Sequence, residues 1–267
     1  MKRIVLSAIL CATVAGSYAQ EEVKEDSTKV KAKVYVKVGD WEYGAKKDSV
    51  KRLREAKVYP QFSFGLTFSR FDLGLNKLLD NGSMGLSPEN SYLSYRAIKS
   101  TNVGFDLLQM GVRFNPNFKV FLAAGLDWNI IRLKRNITFQ KDKPLDQYVE
   151  ETINFEKNRL SSRYLRVPLS FQFRSNEDNK GNRIYFAAGP ELGFLLNGKL
   201  KQKSKENGKQ KFINDYNFEP LRYGAFARFG YGWMGIYAKY YFNDVFTQLP
   251  GNPDNLKNFS FGLTIGF

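Results

Sequence analysis

From residue 60 onward the chain alternates apolar and polar residues with a period of two, in eight separate segments. In one of them Leu165, Val167 and Leu169 occupy one face, while Arg166 occupies the other. Successive side chains of a β-strand point to opposite faces, so this periodicity predicts strands. The segments lie near 60–71, 102–114, 118–139, 160–174, 183–200, 217–230, 232–243 and 257–267.

The connections between these segments alternate between long and short. Tight turns at 115–117 and 230–232 are separated by long polar loops near 140–159 and 201–216. Long and short connections in alternation, with an even number of strands, are typical of an up-and-down barrel whose termini lie at one end. Within the first long connection, residues 71–79 have apolar spacing that predicts a short helix capping the barrel mouth or binding a partner.

Alternation alone does not determine whether the apolar face points outward to lipid or inward. A soluble lipocalin-like periplasmic barrel would keep its apolar face inside. Three features favour lipid on the outside. The polar faces are rich in Gly, Ala, Ser and Thr, which suit the narrow lumen of eight strands. Aromatic residues recur at the ends of the apolar faces, and the last strand ends on Phe267, which predicts an assembly signal. We therefore predict an all-β fold, an eight-stranded antiparallel transmembrane up-and-down β-barrel over residues 60–267.

The first 59 residues predict export. A basic start, an apolar run and the small-x-small pattern ending at Ala19 indicate a cleaved signal peptide at 1–19, with Cys11 inside it. The Lys-rich stretch 20–59 predicts a periplasmic N-terminal extension. No later run of the sequence approaches the ~20 apolar residues of a transmembrane helix.

Several strand motifs resemble a family. They are Tyr164-Leu165-Arg166-Val167-Pro168-Leu169, Pro220-Leu221-Arg222-Tyr223-Gly224, Gly230-Tyr231-Gly232 and the ending Phe259 to Phe267. These segments are similar to the small outer-membrane β-barrels of the Bacteroidota, the group that includes PorT. The resemblance spans residues 60–267 and implies location in the outer membrane of a Gram-negative cell. It leaves function open, because the group mixes accessory components of type IX protein secretion with other barrels.

Catalytic chemistry is disfavoured by composition. The sequence contains no histidine, so Ser-His and Asp-His constellations are excluded, and Cys11 is predicted to leave with the signal peptide. No nucleotide-binding glycine motif is present. We predict no catalytic, cofactor or metal site, and hence a protein that is not an enzyme.

Charged residues on the predicted inner face need an explanation. Two alternatives fit them: a buried salt-bridge network that fills the lumen, and a narrow anion-permeable channel. The predicted lumen residues are Arg113, Asp127, Arg166, Arg174, Glu191, Arg222, Arg228 and Lys239.

The chain has a formal net charge of +15, which favours an anionic partner. Nucleic acid is excluded for an exported protein, and the predicted partners are outer-membrane lipid and lipopolysaccharide, the barrel-assembly machinery and an envelope protein. A Lys-rich loop is the candidate polyanion contact, with Lys199, Lys201, Lys203, Lys205, Lys209 and Lys211. The leading prediction is a non-enzymatic barrel that binds or scaffolds at the cell envelope. A PorT-like secretion accessory and a small anion channel are the alternatives.

Overall fold

The computed structural model describes residues 59–67 and 70–266. The predicted signal peptide 1–19, nearly all of the predicted extension 20–59, and Phe267 lie outside the described residues. The strands are β1 (Gln61–Leu66), β2 (Phe71–Asp80), β3 (Thr101–Arg113), β4 (Phe118–Arg132), β5 (Ile137–Thr138), β6 (Val149–Glu150), β7 (Lys157–Arg174), β8 (Ile184–Ser204), β9 (Gly208–Asn214), β10 (Leu221–Tyr231), β11 (Met234–Asp244) and β12 (Leu256–Ile265). Two 3-10 turns, Ser91–Leu93 and Ala97–Lys99, precede β3.

Eight strands form a closed antiparallel ring. Going around it, the strands follow the order β2, β3, β4, β7, β8, β10, β11 and β12, and β12 pairs back onto β2. β1 pairs with the far half of β3, so β1 and β2 together make the first wall. Closure gives each of these eight strands a hydrogen-bonded neighbour on both sides, which is what a lipid environment requires of a spanning sheet. The predicted eight-stranded barrel is confirmed.

Residues 71–79 belong to β2, and the predicted helix is wrong. Leu75 pairs with Phe261 and Leu73 with Leu263, so this segment closes the ring against the last strand. The backbone hydrogen bonds of β2 are taken up by β12 on one side and by β3 on the other. A buried wall strand satisfies its polar groups in this way, whereas a helix there would leave β12 with a free edge.

The two ends of the barrel differ in their connections. At the short-turn end the connections are 114–117, 175–183 and 232–233, whereas at the loop end they are 81–100, 133–156, 205–220 and 245–255. Two of the predicted loops contain strands. β8 runs on to Ser204 and pairs with β9 as a hairpin, which corrects the loop predicted near 201–216. In the region predicted as a loop near 140–159, β6 pairs with β5, and β7 begins at Lys157.

Apolar side chains cover the outside of the ring. We call this set the apolar band, and it includes Phe64, Leu73, Leu108, Met110, Leu165, Val167, Phe171, Phe186, Leu192, Phe194, Leu196, Tyr223, Phe229, Ile236, Phe242 and Leu263. Most of these side chains are exposed, which is unfavourable in water but favourable against lipid.

A second apolar cluster is buried at the loop end. Ring strands contribute inward side chains such as Leu160 and Leu200, and the loops contribute others that fold over the opening. We call this cluster the apolar cap: Leu78, Tyr92, Leu93, Ile131, Leu133, Ile137, Phe139, Leu145, Leu160, Leu200, Tyr216, Phe218, Phe246 and Leu256. The loops of this end are therefore packed against the barrel.

Candidate functional site

Three buried carboxylates line one wall of the lumen. Asp72 on β2, Asp106 on β3 and Asp127 on β4 are each 0% exposed. All three strands are neighbours in the ring, so one side of the lumen carries a concentrated negative charge. Buried charges of this kind are stable only when they are paired and hydrogen-bonded.

Other strands of the ring supply most of the cations: β7 lies next to the acidic wall, and β10 and β11 lie across the lumen from it. Arg166 on β7 lies 2.6 Å from Asp72 and 2.8 Å from Asp106. Arg228 on β10 donates to Asp72 at 2.9 Å. Lys239 on β11 lies 3.0 Å from Asp72 and 3.1 Å from Asp127, and thereby joins two strands of the acidic wall. These ion pairs cross the lumen and fill it.

Aromatic residues extend the network toward the loop end. The Arg222 guanidinium pairs with Asp127 and lies 3.8 Å from the ring centroid of Tyr164 and 4.1 Å from that of Tyr241. The Tyr241 hydroxyl in turn donates to Glu191. Stacking on two rings holds the guanidinium plane across the lumen. Arg70, just before β2, lies 3.0 Å from Asp106. We call the combined set the polar core: Arg70, Asp72, Asp106, Asp127, Arg166, Glu191, Arg222, Arg228 and Lys239.

Glycines make room for these long side chains. A Cβ atom on Gly104 would lie 2.6 Å from the nearest guanidinium nitrogen of Arg166. One on Gly193 would lie 2.7 Å from the Arg222 Nε atom. Each glycine lies beside the arginine that crosses it, so the small residues and the charges of the inner face belong to one arrangement.

Six of the eight predicted lumen residues lie in the polar core, namely Asp127, Arg166, Glu191, Arg222, Arg228 and Lys239. Arg113 and Arg174 do not, because they end β3 and β7 at the short-turn end. Arg174 donates to Gln172 at 3.0 Å, and neither arginine forms an ion pair within the described chain.

Sequence reasoning missed Arg70, Asp72 and Asp106. Asp72 lies in the segment that was predicted as a helix. Asp106 precedes a bulge between Asp106 and Leu108, after which the inward parity of β3 shifts by one residue. Asp72 and Asp106 each lie alone between apolar neighbours, which is a recognisable signal in the sequence. For Asp106 this signal fits an inward position once a bulge in β3 is allowed.

Little empty space remains above the polar core. A cavity of about 20 Å³ separates it from the apolar cap and is lined by residues that include Tyr164, Phe218 and Arg222. This volume holds about one water molecule. The lumen is therefore closed at two levels, by ion pairs and by the apolar cap.

The six lysines of the candidate polyanion contact lie on the hairpin formed by β8 and β9. Lys199, Lys201 and Lys203 are on β8, Lys209 and Lys211 are on β9, and Lys205 is in the turn. We call the outward cations of this region the basic sheet face: Lys157, Arg159, Lys199, Lys201, Lys203, Lys209 and Lys211. Glu156 reaches this face, where Lys203 lies 2.6 Å from its carboxylate, and this hydrogen bond lowers the pKa of Glu156.

The buried carboxylates are poorly placed for acid–base catalysis, because Arg and Lys groups surround them and solvent is excluded. Within residues 59–67 and 70–266, no group of three or more His, Cys, Asp or Glu residues could hold a metal ion. The arrangement can hold the barrel shut and present charge at its loop end.

No helix among the described residues is long and apolar enough to cross a membrane. The closed ring, its apolar exterior and its ion-paired interior define an integral β-barrel of a membrane. Residues 61–249 match the outer membrane protein beta-barrel domain family. The chain belongs to that family, and its place is the outer membrane.

Further comparisons add little. The structure is similar to that of Ail, the attachment invasion locus protein of Yersinia pestis, solved in complex with the heparin analogue sucrose octasulfate. The alignment covers 78% of this chain and 98% of that chain, with 16% identity and a TM-score of 0.32. The search of curated proteins finds no match.

Proposed function

We propose that this protein is a non-enzymatic outer-membrane barrel that acts by binding at the cell surface. The filled lumen is the observation that carries this proposal. Five basic and four acidic side chains occupy the polar core and are nearly balanced in charge. A barrel whose interior is occupied in this way acts through the parts that face water or lipid.

The loop end supplies the binding surface in this proposal. Long loops of outer-membrane barrels face the cell exterior, so the β8–β9 hairpin and the apolar cap lie on that side. Export through the signal peptide 1–19, a periplasmic extension 20–59 and recognition of the last strand by the assembly machinery complete the proposal. Lipopolysaccharide and an envelope protein are the proposed partners.

The two other candidates have separate support. An accessory role in protein secretion is supported by the motif resemblance to the PorT group. An anion channel is supported by the excess of Arg and Lys in the lumen, but the ion pairs between opposite walls oppose it, because an ion would have to break them to pass.

Planar-bilayer recording tests the proposal. The purified chain, reconstituted from detergent, is expected to give no stepwise conductance in potassium chloride at any applied voltage at which the bilayer is stable. A porin incorporated in parallel serves as the positive control. Reproducible ohmic steps from the folded protein would overturn the proposal in favour of the channel. Co-purification of secretion components with the tagged chain would favour the accessory role.

A further inference from the structure

Cations on neighbouring strands lie directly opposite one another across the basic sheet face. Arg159 pairs in register with Lys201, and Lys201 pairs with Lys211, while Arg132 of β4 pairs with Arg159 on the other side. A second row joins Lys157, Lys203 and Lys209 in the same way. Two parallel rows of positive charge therefore cross this part of the sheet.

Such rows are unfavourable for folding. Neighbouring strands lie about 4.8 Å apart, and like charges opposite each other across that gap repel. The pKa of Lys201 is lowered, first by the positive charge of Lys209 and then by burial and by the charge of Arg159. Among the described residues, the ion pair of Lys203 with Glu156 is the one that reaches the basic sheet face. The remaining cations of this face form no ion pair shorter than 4.0 Å within the described chain.

The rows also continue directly from the apolar band. On β8, Leu196 belongs to the band and Lys199 begins the basic sheet face, about 10 Å along the strand. On β7, Leu165 belongs to the band, and Arg163 lies two residues nearer the loop end. Its guanidinium is 5.3 Å from the centroid of the Trp128 ring. Aromatic and long basic side chains at this level are typical of the boundary between hydrocarbon and headgroups.

We propose that the basic sheet face holds the phosphate groups of an outer-leaflet lipid whose acyl chains lie along the apolar band. This inference depends on the proposed surface-binding function and names a partner for it. A lipid fits better than a soluble polyanion because the cationic rows and the apolar band form one continuous outer surface. The two rows lie two residues apart along each strand, so they offer two levels at which phosphates can be held.

Lipid A in phosphatidylcholine nanodiscs is the probe that tests this. Binding of fluorescent lipid A to the full mature chain is compared between wild type and the double variant Lys201→Gln/Lys211→Gln. Each basic residue near an anionic membrane surface strengthens binding roughly fivefold, so the double variant, which loses two, is expected to bind about thirtyfold more weakly. Lys201→Arg/Lys211→Arg is expected to retain binding, because the charge is kept.

The matched control is Lys77→Gln/Lys257→Gln. These lysines lie on β2 and β12, near the loop end of another part of the ring, where Lys77 pairs with Phe259 and Lys257 with Leu79. They are not part of a cationic row, so this control is expected to weaken lipid A binding far less than Lys201→Gln/Lys211→Gln does. Gel migration with and without heating verifies that every variant is folded.

Equal affinity of wild type and Lys201→Gln/Lys211→Gln would overturn the inference, and so would equal binding of dephosphorylated lipid A. Binding of soluble polyphosphate that depends on these lysines, with no lipid A binding, would overturn it in favour of a soluble polyanion. These binding results are independent of conductance. Because conductance is what overturns the surface-binding proposal, failure of the lipid inference and failure of that proposal are distinguishable.

Discussion

The polar core and the apolar cap are two buried regions of the same barrel, built on the same inward faces. In the polar core the inward residues are charged, such as Arg166 on β7 and Glu191 on β8. In the apolar cap the inward residues of these strands are Leu160 and Leu200. The chemistry of the inward face therefore reverses along both strands.

The outward face reverses at the same level. On β8, Phe194 and Leu196 face outward beside the polar core, whereas Lys199 and Lys201 face outward beside the apolar cap. A strand with lipid outside needs an apolar exterior, and a strand with water outside needs a polar one. The reversal therefore marks the edge of the lipid-facing part of the barrel, near Arg163 on β7, where the pairing with β8 also contains an irregularity.

Removal of a buried carboxylate is expected to have the largest effect. Asp72→Ala would leave Arg166, Arg228 and Lys239 without their shared acceptor. Loss of one partner of a buried pair costs about 3–5 kcal/mol, so urea unfolding in lipid vesicles should shift by that amount. Glu206→Ala, in the exposed hairpin turn, is the control and should change stability by less than about 0.5 kcal/mol. Equal stability of the two variants would show that the polar core does not hold the barrel.

A smaller and more local effect is expected in the apolar cap. Phe246 is buried and stacks on Phe218 with ring centroids 5.0 Å apart. Phe246→Ala should cost about 3 kcal/mol, the lower end of the range for buried aromatics, because the loops can relax into the space. Limited proteolysis should then cut the loops at 133–156 and 245–255 faster, while the ring stays intact. Phe212→Ala, at an exposed position on β9, is the control; comparable proteolysis of both would contradict the cap.

The hairpin that carries the basic sheet face lies outside both cores. Gly208 adopts a φ of +62° at its turn, with nothing near the position of a Cβ atom, so alanine there strains only the backbone. Gly208→Ala should destabilise the hairpin by about 1 kcal/mol and leave global unfolding unchanged. Hydrogen exchange of β9 amides measures the first effect. Gly85→Ala, where φ is not positive, should change neither quantity.

The smallest effect is a pH response at the rim of the apolar cap. Burial would raise the pKa of Asp80, but hydrogen bonds from Ser87, Asn90 and Asn81 outweigh it and hold the pKa below its usual value. The ionised form thus stabilises the loop at neutral pH, and this is lost as pH falls through the lowered pKa. The NMR shift of the Ser87 amide should titrate below about pH 3.9 and become flat in Asp80→Asn. Titration at or above the ordinary value would contradict this.

The reversal also explains what sequence could predict. β7, β10 and β11 were predicted within a few residues, because alternation with apolar residues outward identifies these strands where they face lipid. Toward the loop end, beyond the lipid-facing part of the strands, the outward residues are no longer apolar and this alternation rule fails. Lys77 faces outward and Leu78 inward, so the end of β2 resembled a helix, and Lys199 to Lys203 resembled a loop.

Asp106 of the polar core was hidden for a local reason. The bulge after Asp106 moved this residue out of the phase that Gln109 and Arg113 define. The β8–β9 hairpin had a readable signal, since Asn207-Gly208 is a favoured turn pair. Which acid meets which base depends on strands far apart in sequence, and alternation carries no information about that.

A double-mutant cycle on Asp127 and Lys239 tests the central claim most directly, because β4 and β11 lie on opposite sides of the ring and their carboxylate and ammonium are 3.1 Å apart. Asp127→Ala, Lys239→Ala and the double variant are unfolded in urea in the same vesicles. If opposite walls are held together by ion pairs, the double variant should lose less stability than the sum of the single losses, by about 1–3 kcal/mol. Losses that add to within about 0.5 kcal/mol would contradict a lumen closed by pairing across it.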